Sequence, residues 1–175
     1  MKGFLPIDEP LQGYSSINEN SLTKLQELAT NLPKLLLTDR LETNITMMSD
    51  DDLCVDSLIQ NGSLEEIKLS MVQLSFIAHA YILGGAEPKS NLPRVIAKPW
   101  VSISRKLERP PVLSYASYCL DNWYLMNSEE PINLNNVALI NNFLGGIDED
   151  WFVTIHVCIE DAASDAMEAS KLISQ

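Results

Sequence analysis

The chain holds only two histidines, and one of them, His156, lies in the run Trp151-Phe152-Val153-Thr154-Ile155-His156-Val157-Cys158-Ile159-Glu160. A neutral imidazole offers one hydrogen-bond donor and one acceptor. Four residues separate Phe152 from His156, so a helix puts both on one face, with Glu160 a further turn on. Such an imidazole could take one hydrogen bond from a bound polar ligand. It could equally be a core histidine closed on a backbone carbonyl or on Glu160, and these residues alone favour that role. His79 falls near the end of a second apolar helix, where it suits the C-terminal carbonyls and reads as structural. The two histidines make no metal site by spacing. Tyr115, Tyr118 and Trp123, taken alone, read as core aromatics. There is no P-loop, G-x-G-x-x-G, H-E-x-x-H or G-x-S-x-G motif. Cys54, Cys119 and Cys158 are odd in number and far apart, which fits buried thiols in a reducing cytosol better than a disulfide or zinc framework.

The scaffold that must position these groups is bounded by composition. The 175 residues suffice for one core, or for one domain and the start of another. A formal net charge of −12 argues against nucleic acid and against anionic membrane surfaces. The longest apolar region, Met71 to Leu83, is interrupted by Gln73, Ser75 and His79 and is too short for a bilayer. Met1 to Pro6 has no signal-peptide run, so a cytoplasmic protein is expected.

Hydrophobic periodicity predicts a mostly helical chain with one or two short strands. Residues 3 to 18 read as an extended arm. Asn20 or Ser21 would cap a helix burying Leu22, Leu25, Leu28, Ala29 and Leu32. Pro33 would interrupt it, with a short turn over Leu35 to Leu37. The acidic run Ser49 to Asp52 suits a helix start. Ser63-Leu64-Glu65-Glu66 is a capping box opening a helix to about Leu83. Its buried stripe would be Leu64, Ile67, Met71, Leu74, Ala78 and Tyr81, with a left-handed exit at Gly84-Gly85. Pro99 would start a helix with Trp100, Ile103 and Leu107 inward and Arg105, Lys106 and Arg109 outward, ended by Pro110-Pro111. A further helix is expected from Val112 to about Met126, an irregular polar stretch over 127 to 136, and a short strand within Val137 to Phe143. Asp148-Glu149-Asp150 would open a last helix whose apolar face is Phe152, Ile155, Ile159, Ala162, Ala163, Ala166 and Ile173. Little else in the chain is available to cover that face.

Several segments also resemble the indoleamine 2,3-dioxygenase family of haem proteins. They are Gly3-Phe4-Leu5-Pro6 with Glu9-Pro10-Leu11, Leu32-Pro33-Lys34-Leu35-Leu36, and Ala80-Tyr81-Ile82-Leu83-Gly84. The series continues through Leu92 to Trp100, then Ser104-Arg105-Lys106-Leu107-Glu108-Arg109-Pro110-Pro111-Val112-Leu113-Ser114-Tyr115-Ala116, then Asn122-Trp123 and Asp148 to Phe152. The matches run in order from end to end and are densest between residues 78 and 160.

The resemblance implies an all-α fold of two domains. Residues 1–146 would be a small N-terminal helical domain covering one side of a haem, and residues 147–175 the first helix of the large haem-binding domain. It implies haem b, ligated by a proximal histidine outside this chain, beyond residue 175; the chain is thus expected to be an N-terminal portion that packs on a C-terminal helical domain. The reaction implied is insertion of dioxygen across the indole C2–C3 bond of L-tryptophan, giving N-formylkynurenine. Tyr115, Tyr118 and Cys119 match indole-pocket positions, and Phe152 and Val153 match the aromatic wall above the haem, although Val153 stands where an aromatic is the family pattern. His156 matches a position that is serine in the mammalian enzymes. The related tryptophan 2,3-dioxygenases place a histidine there to meet the indole N–H, which moves His156 from a core role to the pocket as the catalytic candidate. A different indole reaction on the same fold, or a non-catalytic helical module, are the alternatives these residues leave open.

Overall fold

The computed structural model describes residues 3–14 and 20–173. Its centre is helix α5, Leu64–Leu83, buried on nearly every side from Glu66 to Ala78. A helix that is apolar all round belongs inside a protein rather than on its surface. The expected stripe is therefore too narrow: Val72, Phe76 and Ile77 are as buried as Ile67, Met71 and Leu74, whereas Leu64, in the first turn, is largely exposed. Ser63 caps the helix as expected. Its Oγ accepts from the Glu66 N–H at 3.2 Å, and its own N–H donates to Glu66 Oε2 at 3.0 Å. Gly84 leaves the helix in right-handed geometry, and neither it nor Gly85 has a positive φ. A side chain at Gly84 would instead overlap the Ala80 carbonyl oxygen and the Leu36 side chain, so close packing explains that glycine.

Around α5 pack α1 (Asn20–Thr30), α2 (Leu32–Leu37), α3 (Leu41–Thr46), α4 (Asp56–Asn61) and α6 (Arg94–Leu107). Leu22, Leu25, Leu28, Ala29 and Leu32 are buried, as their spacing predicts. Helix α1 already includes Asn20, so the position that would cap it lies outside the described residues, as do residues 15–18 of the expected arm. The arm that is described folds inward: Tyr14 donates from its hydroxyl to Gln73 Oε1 at 2.7 Å, and Leu5 is buried.

The acidic run does not start a helix. Asp52 turns back to accept from the Ser49 N–H and from Lys24 at 2.7 Å, a competing local bond of the kind short polar side chains prefer. Helix α6 begins five residues earlier than predicted, with Pro93 at its N-cap and Pro99 inside it. Proline costs only one carbonyl bond there, and Trp100 and Ile103 still face inward. Glu108, in left-handed geometry, closes α6, and Arg109 does not point away: it reaches the buried Asp121 carboxylate at 2.7 Å.

The helix expected over 112–126 is replaced by one π-helical turn, Ala116–Leu120, followed by an antiparallel hairpin. Strand β1 (Trp123–Leu125) pairs with β2 (Val137–Leu139), Trp123 opposite Leu139. Three anchors stop helical propagation. Arg109 fixes Asp121, the Asp121 N–H bonds the Ala116 carbonyl at 2.8 Å, and the Asn122 amide spans to both the N–H and the carbonyl of Asn141. The strand expected in 137–143 is thus present, and the fold is mostly helical with one short strand pair.

Helix α7, Ile147–Ile173, opens on its three carboxylates as expected. It packs on the π-turn and the hairpin through a second small core of Leu5, Cys119, Trp123, Val137, Val153 and Val157. The side that packs is not the expected one. Val153 and Val157 are fully buried, while Phe152, Ile159 and Ile173 are exposed. Trp123, fully buried at the centre of this core, is the test of its weight. Replacing it with Ala should destabilise the protein by about 3–5 kcal/mol, read as a lowered urea midpoint.

Candidate functional site

The face of α7 that turns away from the second core carries the chemistry the sequence pointed to. Val153 and Val157 fix the helix by their burial, so Phe152 and His156 rise along its open flank. Phe152 is 46% exposed and Tyr115, at the start of the π-turn, 44%. The imidazole of His156 leans on Phe152, with ring centroids 4.3 Å apart, and meets Tyr115 edge-on at 5.9 Å. Its Nδ1 lies 2.5 Å from the Phe152 carbonyl oxygen. A carbonyl only accepts, so Nδ1 carries the proton and Nε2 is left as the acceptor. Nε2 has no hydrogen-bond partner among the described residues.

A run of rings joins this flank to the main core. Phe76, inside α5, packs on Phe143 at 4.7 Å and on Tyr118 at 5.5 Å, and Tyr118 touches Phe152 at 5.8 Å. Glu149, in the first turn of α7, accepts from the N–H groups of Phe143 and Leu144 at 2.7 and 3.0 Å. That carboxylate therefore ties the loop carrying Phe143 to the end of the helix carrying Phe152, using the favourable charge position at a helix N-terminus. Beside this run, Leu36, Leu37, Leu83, Leu113, Phe143 and Leu144 border an apolar groove of about 500 Å³, with His79 at its wall. His79 is held by the Ser75 carbonyl at 3.0 Å and sits edge-on to Trp100, the structural role expected of it.

Glu160, which the sequence offered only as a partner for His156, accepts instead from the Tyr115 hydroxyl at 3.0 Å. The arm also reaches this point: Gly3, at φ +62°, lies so close that any side chain would overlap the Glu160 carbonyl. The same carboxylate shapes the titration of its neighbours. Burial first, then the hydrogen bond to and charge of Glu160, push the Tyr115 phenol up to about 12. Tyr118 is pushed up to about 12 by burial and then by Glu149. The Cys119 thiol rises to about 11, again by burial and then by Glu160, so it is inert as a nucleophile near neutral pH.

The six residues singled out from the sequence thus divide by depth. Tyr115, Phe152 and His156 share the open flank and Tyr118 backs them. Cys119 and Val153 are fully buried in the second core and contribute by placing the wall rather than by facing outward. Phe143, Leu144 and Glu149 were missed; a lone Phe143 after Asn141-Asn142 carries no sign of an aromatic stack, whereas Glu149 was read only for its charge. Among the described residues no group of three or more His, Cys, Asp or Glu side chains is placed to hold a metal ion. Among them, too, no helix is long and apolar enough to cross a membrane.

These features define a mostly helical protein whose last helix is used on two sides, one buried on its own fold and one offering an apolar, ring-lined wall with a single imidazole acceptor. The family model described as indoleamine 2,3-dioxygenase matches residues 1–174, and the chain belongs to that family. It is 32% identical over 167 residues to the indoleamine 2,3-dioxygenase of Saccharomyces cerevisiae, covering 93% of this chain and 36% of that protein. It is 32% identical to indoleamine 2,3-dioxygenase 1 of Mus musculus, covering 84% of this chain and 35% of the mouse protein. The Penicillium citrinum indoleamine 2,3-dioxygenase qulI is 33% identical over 77% of this chain and 30% of its own length. The chain therefore spans about a third of the length of the curated relatives it matches.

The raised tyrosines give a direct check. A phenol whose folded pKa exceeds its ordinary value of about 10 stabilises the fold fully below that pH, and the contribution is lost as the pH climbs through the folded value. In an absorbance titration of phenolate, Tyr115 and Tyr118 should ionise near pH 12. Tyr115→Phe should remove one such late step. Glu160→Gln should bring Tyr115 only part of the way down, because burial is the larger cause. Ionisation of Tyr115 at its ordinary pH would contradict the geometry.

Proposed function

We propose that this chain forms the distal wall of a haem-dependent dioxygenase that inserts O2 across the C2–C3 bond of L-tryptophan or a related indole, giving N-formylkynurenine. The observation that carries this reading is the unpartnered Nε2 of His156, held as an acceptor between Phe152 and Tyr115 on an open apolar flank. An indole presents one N–H donor on the edge of a flat apolar ring, and this flank offers one acceptor beside aromatic surface.

The residues present fit a haem as a cover rather than as an anchor. Trp151, Phe152 and Ile159 leave an exposed apolar strip on α7, of the kind a porphyrin face would contact. Haem b, when bound, supplies O2 binding and the redox chemistry of oxygen insertion. The residue that would hold its iron lies outside this chain, in the C-terminal helical domain that the resemblance implies. Residues 1–146 form the small domain in this reading, and α7 opens the large one.

The chain's own residues then bind and orient. His156 Nε2 accepts the indole N–H, which fixes which edge of the ring points toward the wall. The Phe152 ring packs the indole face, and Tyr118 and Phe143 keep Phe152 from collapsing inward. Cys119 and Val153 hold the wall from behind. Together they displace water from a site where an indole would otherwise be solvated. Three free cysteines, none paired, agree with a reducing cytoplasm as the place of action.

Two measurements test this. In the full-length protein, His156→Ala should lower kcat/KM for tryptophan about five- to thirtyfold, the range of one lost hydrogen bond of 1–2 kcal/mol; unchanged kinetics would remove His156 from the pocket. Haem added to this chain alone should give no six-coordinate, low-spin spectrum. Such a spectrum would place the axial ligand within these residues.

A further inference from the structure

The His156 ring is constrained from its own helix by the Phe152 carbonyl and the Phe152 ring, and from outside that helix by Tyr115. Tyr115 is itself 44% exposed at the start of a short turn, so packing alone leaves its hydroxyl end room to move. What holds it is Glu160, through the 3.0 Å bond from its hydroxyl. Glu160 stands one turn beyond His156 on the same helix. The bond therefore closes a bracket: the π-turn is clipped to α7 directly across the imidazole. Beside this clip the arm crosses α7 closely, with Gly3 against the Glu160 backbone carbonyl in a conformation only glycine tolerates without strain.

We propose that Tyr115 and Glu160 are positioning residues that lock the His156 imidazole with Nε2 facing outward, and so set the preference for ligands that carry an indole N–H. The inference rests on the reading of His156 as the acceptor for that group. Without the clip, the imidazole keeps its bond to the Phe152 carbonyl but loses its outer wall, and its ring samples orientations in which Nε2 no longer meets the donor. The loss falls on donor recognition alone. A ligand lacking the N–H gains nothing from a well-aimed Nε2 and loses nothing when the aim is spoiled.

The test uses the full-length protein with Tyr115→Phe, Glu160→Ala, Glu160→Gln and His156→Ala. Tyr115→Phe keeps the ring and removes the tether; Glu160→Gln keeps an oxygen that accepts from the tyrosine. We expect Tyr115→Phe and Glu160→Ala to raise KM for tryptophan about three- to tenfold with little change in kcat, and Glu160→Gln to restore most of the loss. The inhibition constant of the N1-methyl analogue, measured in competition with tryptophan, should stay the same in all of them. In nitrogen-15 spectra the His156 ring should show the Nδ1–H tautomer, with broadened signals in Tyr115→Phe and Glu160→Ala. If His156→Ala impairs tryptophan use while Tyr115→Phe and Glu160→Ala do not, the positioning role is wrong and the acceptor role of His156 stands. If His156→Ala is also without effect, both fall. Equal losses for tryptophan and for the N1-methyl analogue would show a general collapse of the wall and would likewise overturn the proposal.

Discussion

Everything on the open flank follows from the burial of two valines. Val153 and Val157 sit fully enclosed against Trp123 and Cys119, and in a helix a side chain four residues on lies on nearly the same bearing. Once those two bearings are fixed inward, the rotation of α7 about its axis is fixed as well. Phe152 and His156, each one residue before a valine, are then carried to the flank by the 100° step of the helix. A rotation by one residue would bury the imidazole and expose a valine, exchanging a satisfied core for an unsatisfied one. The hydrophobic gain of the small core, rather than any polar contact, therefore aims the site.

The π-turn does the matching work on the facing side. In an α-helix Tyr115 and Cys119 would share one face, and the two could not serve different environments. The wider turn, closed by the Asp121 N–H on the Ala116 carbonyl, separates them: Cys119 goes into the second core while Tyr115 stays outside to reach Glu160. Its cost in backbone geometry is offset by Asn122, whose amide satisfies three backbone groups in the interior, and by the Arg109–Asp121 pair. Local irregularity of this kind accompanies functional positions in helices often enough to be informative in itself.

Much of the scaffold was legible in the residues because it rests on local rules. The Ser63 capping box, the Leu22 to Ala29 stripe and the acidic start of α7 each follow from side chains within one or two turns. The failures share a cause: they are places where a distant partner overrode a local preference. Nothing near Asp121 in sequence announces that Arg109 will hold it, nor that Asn122 will bond Asn141, and those long-range bonds end the helix expected from Val112. The apolar face of α7 was misjudged for a related reason. Its residues are apolar on two sides, and periodicity identifies faces without saying which is used first. At the site, the resemblance brought Tyr115, Phe152 and His156 together correctly as neighbours, but depth was invisible, so Cys119 and Val153 were grouped with residues that stand in front of them.

An apolar wall with one acceptor has a consequence for selectivity. Apolar surface discriminates weakly, since one methylene more or less changes binding by only about 1–3 kcal/mol. A desolvated acceptor discriminates strongly, because a ligand without a donor leaves it buried and unpaired. The flank combines the two by placing Nε2 of His156 among Phe152, Tyr115 and the strip of α7 that carries Trp151 and Ile159. While the strip is open to solvent, water meets the nitrogen and the discrimination is absent. Covering the strip converts the same atom into a demand for an N–H. On the proposed reading, selectivity is latent in these residues and depends on what closes over them, so the orientation of the imidazole counts for more than the size of the cavity.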